Sequence, residues 1–110
     1  MGIVRFTFRP GQVEEFKRIS KLCLDVVRAE DPGTLAYDTY FNADETKAVV
    51  IERFRDSAAL IAHSQNMGQF MDSIMATADV EGELLGELSP KLAAMMVGAP
   101  VGLFRLSQAL

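Results

Sequence analysis

The chain has 110 residues, of which 49% are apolar, 11 basic and 15 acidic, giving a net charge of −4. That length suits a single domain over 1–110, and the apolar fraction excludes a disordered chain. The acidic balance and the scatter of the basic side chains argue against nucleic acid and anionic membranes as partners.

Residues Ile3 to Phe8 alternate, with Val4, Phe6 and Phe8 on one side, which predicts a strand with a strongly apolar face. Pro10-Gly11 breaks it. Val13, Phe16, Ile19, Leu22, Cys23, Val26 and Val27 then recur at helical spacing. Glu14 and Glu15 occupy the first turn, where the helix dipole favours anions. Asp31-Pro32-Gly33 ends this helix, since proline cannot continue it. Two strands follow, Thr34 to Phe41 and Lys47 to Phe54, joined by a polar turn of hairpin length. In the first, Leu35, Tyr37, Thr39 and Phe41 are expected to share a face.

Asp56 is a good N-cap for a helix running to His63. A second helical piece carries Met67, Phe70, Met71, Ile74 and Met75, with Gly68 loosening the junction. Val80 to Leu88 alternates with an acidic outer face and reads as a strand, with Gly82 and Gly86 as strand positions. Ser89-Pro90 starts a short helix with a serine cap and proline at its first position. Gly98 and Pro100 stop it, and a last short strand is expected over 101–106.

The first six elements give the β-α-β-β-α-β order of an α+β, ferredoxin-like domain with an antiparallel sheet, here 1–88, followed by a C-terminal helix and short strand in an extension over 89–110. Helices cover one face of such a sheet, yet both faces carry large apolar groups. Two sheets packed face to face would bury them, so a homodimer of the dimeric α+β barrel type is expected. The segment from Val101 to Leu106 is expected to reach across and seal an edge. With no basic-then-apolar leader and no span-length apolar stretch, a cytoplasmic protein is expected.

Two stretches are specific. Asp31-Pro32-Gly33-Thr34-Leu35-Ala36-Tyr37 is an acidic-Pro-Gly-Thr turn leading into a tyrosine-bearing strand. Ile51-Glu52-Arg53-Phe54-Arg55-Asp56 is a glutamate-aromatic strand end that runs into an aspartate-capped helix closed by His63. Together they resemble the antibiotic biosynthesis monooxygenase family, over about residues 3–88. The resemblance implies a dimer with one pocket per subunit between sheet and helices. It also implies oxygenation of a small aromatic, quinol or polyketide-like phenol without metal or flavin, molecular oxygen being the co-substrate. Members that degrade haem use a tryptophan, which this chain lacks.

Within that frame His63, the sole histidine, is the candidate general base, since imidazole titrates near neutrality. Tyr37 would hydrogen-bond a ligand oxygen; filling the core is its plainer role. Glu52 shares a face with Val50 and Phe54, so its carboxyl must find a partner or rise in pKa. It would orient His63, or pair with Arg5 or Arg53. Phe54, Met67, Phe70 and Met71 would line an apolar pocket, and Asn66 would bind a substrate carbonyl or cap the next helix. Cys23 reads as a small buried hydrophobe. One histidine and one cysteine far apart form no metal site of usual spacing, and no cofactor-binding loop is present. An isomerase, cyclase or decarboxylase in the same pocket, and a non-catalytic ligand-binding or accessory module, are the competing readings.

Overall fold

The computed structural model describes residues 1–110. It contains β1 (Gly2–Phe8), α1 (Val13–Glu30), β2 (Thr34–Phe41), β3 (Lys47–Phe54) and α2 (Ser57–Met67). A 3-10 turn (Gly68–Phe70), α3 (Met71–Thr77), β4 (Ala78–Leu85), α4 (Pro90–Met96) and β5 (Val101–Phe104) complete it. The strands form one sheet in the order β2-β3-β1-β4-β5. The ferredoxin-like α+β architecture expected from the element order is therefore present.

Local chemistry explains the boundaries. Gly11 takes φ +77 after β1, a backbone state that glycine adopts without strain. Asp56 Oδ1 accepts from the Ala59 amide at 2.8 Å to cap α2, and Ser89 Oγ accepts from Leu92 at 3.2 Å to cap α4. Gly33 lies where a β-carbon would come 2.5 Å from Ala59 Cβ. Only glycine lets the turn after α1 pack that closely on the first turn of α2.

The core lies between the sheet and the helices. Phe16 is buried on α1, with its ring 4.9 Å from Phe6 and 4.7 Å from Phe8. Removing a buried phenylalanine of this kind costs about 3–5 kcal/mol. Pairing registers set two rows across the helix-side face. One runs Tyr37, Glu52, Gly2, Leu84, Leu103; its neighbour runs Thr39, Val50, Val4, Gly82, Val101. These rows are the floor of the site.

Several expectations need correction. A register shift between Thr34 and Ala36 turns Leu35 out to 63% exposure, so it does not share the face of Tyr37. The fourth strand begins at Ala78 and stops at Leu85, because Gly86 turns the chain at φ +117; Gly86 is thus not a strand position. Helix α2 does not close at His63 but continues to Met67. The sheet is not wholly antiparallel: β5 pairs in parallel with β4 of its own chain. A short helical connection between them permits that direction. The C-terminal strand therefore seals the edge of its own sheet. No helix is long and apolar enough to cross a membrane.

Candidate functional site

Glu52 sits near the end of β3, on the helix-side face, and its side chain lies over Gly2 of β1. A β-carbon at Gly2 would meet Glu52 Oε2 at 3.4 Å. His63 lies nearly two turns into α2 and faces down onto this corner of the sheet. Its ring is 5.5 Å from that of Tyr37 and 5.2 Å from that of Phe54. Both aromatic rings hold the imidazole from the side, and its side chain is only 6% exposed.

The two ring nitrogens meet different carboxyls. His63 Nδ1 donates to Asp31 Oδ2 at 2.8 Å, and the Asp31 side chain is 1% exposed. The other Asp31 oxygen accepts from the Asn66 side-chain amide, one turn beyond His63. With Nδ1–H committed to Asp31, the neutral ring presents Nε2 as an acceptor. Nε2 lies 3.7 Å from Glu52 Oε2, too far for a direct hydrogen bond. That spacing leaves both groups able to engage one ligand oxygen.

Burial raises the Glu52 pKa above its ordinary 4.5, and the neighbouring His63 opposes that shift. Burial thus disfavours the charged carboxylate at this position. Tyr37 is pushed far above its ordinary 10.0, first by burial and then by the Cys23 and Glu52 charges. It remains a phenol and can act only as a donor or acceptor of hydrogen bonds. Burial likewise raises the Cys23 thiol, a shift that neighbouring Tyr37 opposes.

These groups stand at one end of a cavity of about 460 Å³ between sheet and helices. His63, Glu52, Tyr37 and Cys23 line it, as do Met67, Phe70 and Met71. Phe54 and Asn66 do not. Phe54 supports the His63 ring from behind, and Asn66 spends its amide on Asp31 inside α2. Asn66 therefore neither caps the next helix nor points at a ligand. Arg5 is paired with Glu83 at 3.0 Å and leaves Glu52 alone.

Asp31 is the site residue that sequence reasoning missed. Its signal was present. A carboxylate at a helix C-terminus stands at the unfavourable end of the dipole, where only a specific partner would keep it. Cys23 also proves to be more than core filler, since it forms cavity wall.

The profile of the antibiotic biosynthesis monooxygenase family matches residues 1–69. The chain belongs to this family. The match spans the Asp31 turn, β3 and the His63–Asn66 segment of α2, which together hold the polar end of the cavity. Among solved structures, MupZ from Pseudomonas fluorescens is similar over 99% of this chain and 90% of its own, at 21% identity and a TM-score of 0.82. PA3566 from Pseudomonas aeruginosa matches 80% of this chain and 92% of its own, at 27% identity and TM-score 0.68. Rv0793 from Mycobacterium tuberculosis matches 81% and 91%, at 23% identity and TM-score 0.64. No curated protein matches the sequence. The MupZ likeness extends through α4 and β5, beyond the family's matched segment.

Proposed function

We propose that this antibiotic-biosynthesis-type family member is a cofactor-independent monooxygenase for a phenolic or enolic ligand. The observation that carries the reading is the buried Asp31–His63 pair, which fixes the imidazole so that Nε2 faces the cavity. In this reading Nε2 takes the ligand's hydroxyl proton, and Tyr37 and Glu52 hold the same oxygen. The electron-rich anion then reacts with molecular oxygen. One oxygen atom ends on the substrate carbon, and the substrate gives up two hydrogens, one from that carbon and one from its hydroxyl. The other leaves with those hydrogens as water, so the substrate is the sole reductant. No metal or flavin takes part in this scheme.

The test is oxygen uptake by the purified protein over a panel of hydroquinones, anthrones and catechols. Protein-dependent uptake that falls at least a hundredfold in His63→Ala supports the scheme, a loss in the range typical of a general base. Full activity in that variant overturns it.

A second reading rests on Glu52. A carboxyl whose pKa burial raises, beside a base 3.7 Å away, forms an acid–base pair that can deliver and remove a proton without any oxidant. An isomerase or cyclase would use the pair this way, and its turnover would persist without oxygen.

The assembly is a proposal of the same standing. Ile3, Val49 and Ile51 are only partly covered on the helix-free face, beside Tyr40 at 59% exposure. These residues favour a homodimer through this face. Light scattering in dilute solution should give twice the chain mass of 12.1 kDa; a monomer would exclude it.

A further inference from the structure

The cavity crosses the whole sheet. Its floor takes in Tyr37 of β2, Glu52 of β3, Val4 of β1, Gly82 of β4 and Val101 of β5. Four strand spacings of about 4.8 Å put its two ends roughly 19 Å apart. Spread over that length, 460 Å³ makes a narrow slot rather than a broad chamber. Its chemistry is also graded. The polar groups Tyr37, Glu52 and His63 stand at the β2–β3 end. The β4–β5 end holds only the apolar Val80, Gly82, Pro100 and Val101 beneath the methionines of α3.

The far end owes its shape to the C-terminal extension. Gly82 and Val101 are register partners in the parallel pair. Gly82 carries no side chain, and a β-carbon there would meet nothing nearer than Val101 Cγ2 at 3.8 Å. The floor is therefore open at Gly82 and closed by Val101. The extension is fixed rather than draped. Leu92 of α4 is 1% exposed, the Ser89 amide donates to Ser57 Oγ at 3.0 Å, and the Gly86 amide donates to Phe104 O at 2.9 Å.

We infer that Pro100 and β5, held in place by α4, form the distal wall of the ligand slot, and that Val101 and Gly82 set how long an apolar tail the ligand carries. The ligand class is an amphipathic molecule with a phenolic or enolic head at His63 and an unbranched aliphatic tail toward β5. This rests on the reading of the cavity as the ligand site, but not on the reaction performed there.

The experiment is a calorimetric binding series with 4-alkylphenols of increasing chain length. In the unaltered protein each methylene should tighten binding about three- to fourfold, as about 0.8 kcal/mol per buried CH₂ requires. The gain should stop at a definite length. Gly82→Val and Val101→Phe should each move that stop to a shorter tail while leaving the shortest phenols within twofold. Val101→Ala should move it to a longer one. Three variants guard against one that misfolds, and circular dichroism checks each. A stop at the same length in all folded variants, or no dependence on tail length, overturns the inference. Tail dependence that persists in Tyr37→Phe and His63→Ala with head affinity also unchanged would leave the distal wall standing and instead remove the head-group reading of the site.

Discussion

Replacing Asp31 by alanine should be among the most damaging single changes in the molecule, although no substrate would be expected to touch it. Its side chain is 1% exposed. It accepts from His63 Nδ1 at 2.8 Å and from the Asn66 amide. A hydrogen bond to a charged group contributes about 1.5–3 kcal/mol, and removing one member of a buried pair costs about 3–5 kcal/mol. Asp31→Ala should therefore lower the unfolding free energy by about 3–5 kcal/mol, much of the 5–15 kcal/mol that a domain has. Asp31→Asn keeps the volume but loses the charge and one acceptor, so about 1–3 kcal/mol is expected. Urea unfolding followed by far-ultraviolet circular dichroism measures both. A double-mutant cycle with His63→Ala should give a coupling of about 0.5–3 kcal/mol. A loss under 1 kcal/mol in Asp31→Ala, with no coupling, would refute the buried pair as the element that fixes the ring.

Other expectations follow from the same geometry. Glu52 has its folded pKa raised above 4.5, so the folded state binds more protons there than the unfolded chain, and stability falls as pH rises from about 4.5 through the folded pKa. Glu52→Gln should flatten that decline and be at least as stable at neutral pH, as read from melting temperatures across pH; an unchanged slope would show that another group causes it. Gly33→Ala forces a β-carbon to 2.5 Å from Ala59 Cβ and should cost about 1–3 kcal/mol by overpacking, with binding of head-group phenols weakened because the turn carries Asp31. Leu92→Ala, at a position 1% exposed, should cost about 2–5 kcal/mol in the same cooperative transition. A separate early transition would mean that the extension folds apart from the core.

Much of this was legible from residue patterns. Alternation placed β1, and the three- and four-residue recurrence from Val13 to Val27 placed α1. Caps at Asp56 and Ser89 fixed two helix starts, because their signals are local. The misses share a different cause. Leu35 turned outward through a bulge that depends on how β2 registers against β3. The end of β4 was read too late because the alternation continues past Gly86, where only the backbone turns. The direction of β5 depends on which strand edge lies within reach of α4. The site divides the same way. His63, Glu52 and Tyr37 stood out by residue type and by family pattern, and the structure brings them to one corner. Asp31 escaped notice because its partner lies 32 residues away; Phe54 was read as lining and Asn66 as a carbonyl binder or helix cap, while both support the site from behind.

The claim at the centre of this account is that His63, held by Asp31, takes the proton of a phenolic ligand inside the cavity. The most direct measurement is the absorption spectrum of a bound 4-alkyl-2-nitrophenol, whose anion is coloured, titrated below the pH at which the free phenol ionises. The account predicts the anion spectrum in the unaltered protein and the neutral phenol spectrum in a folded His63→Gln variant that still binds. A neutral ligand in the unaltered protein, or an anion that survives in His63→Gln, would contradict it.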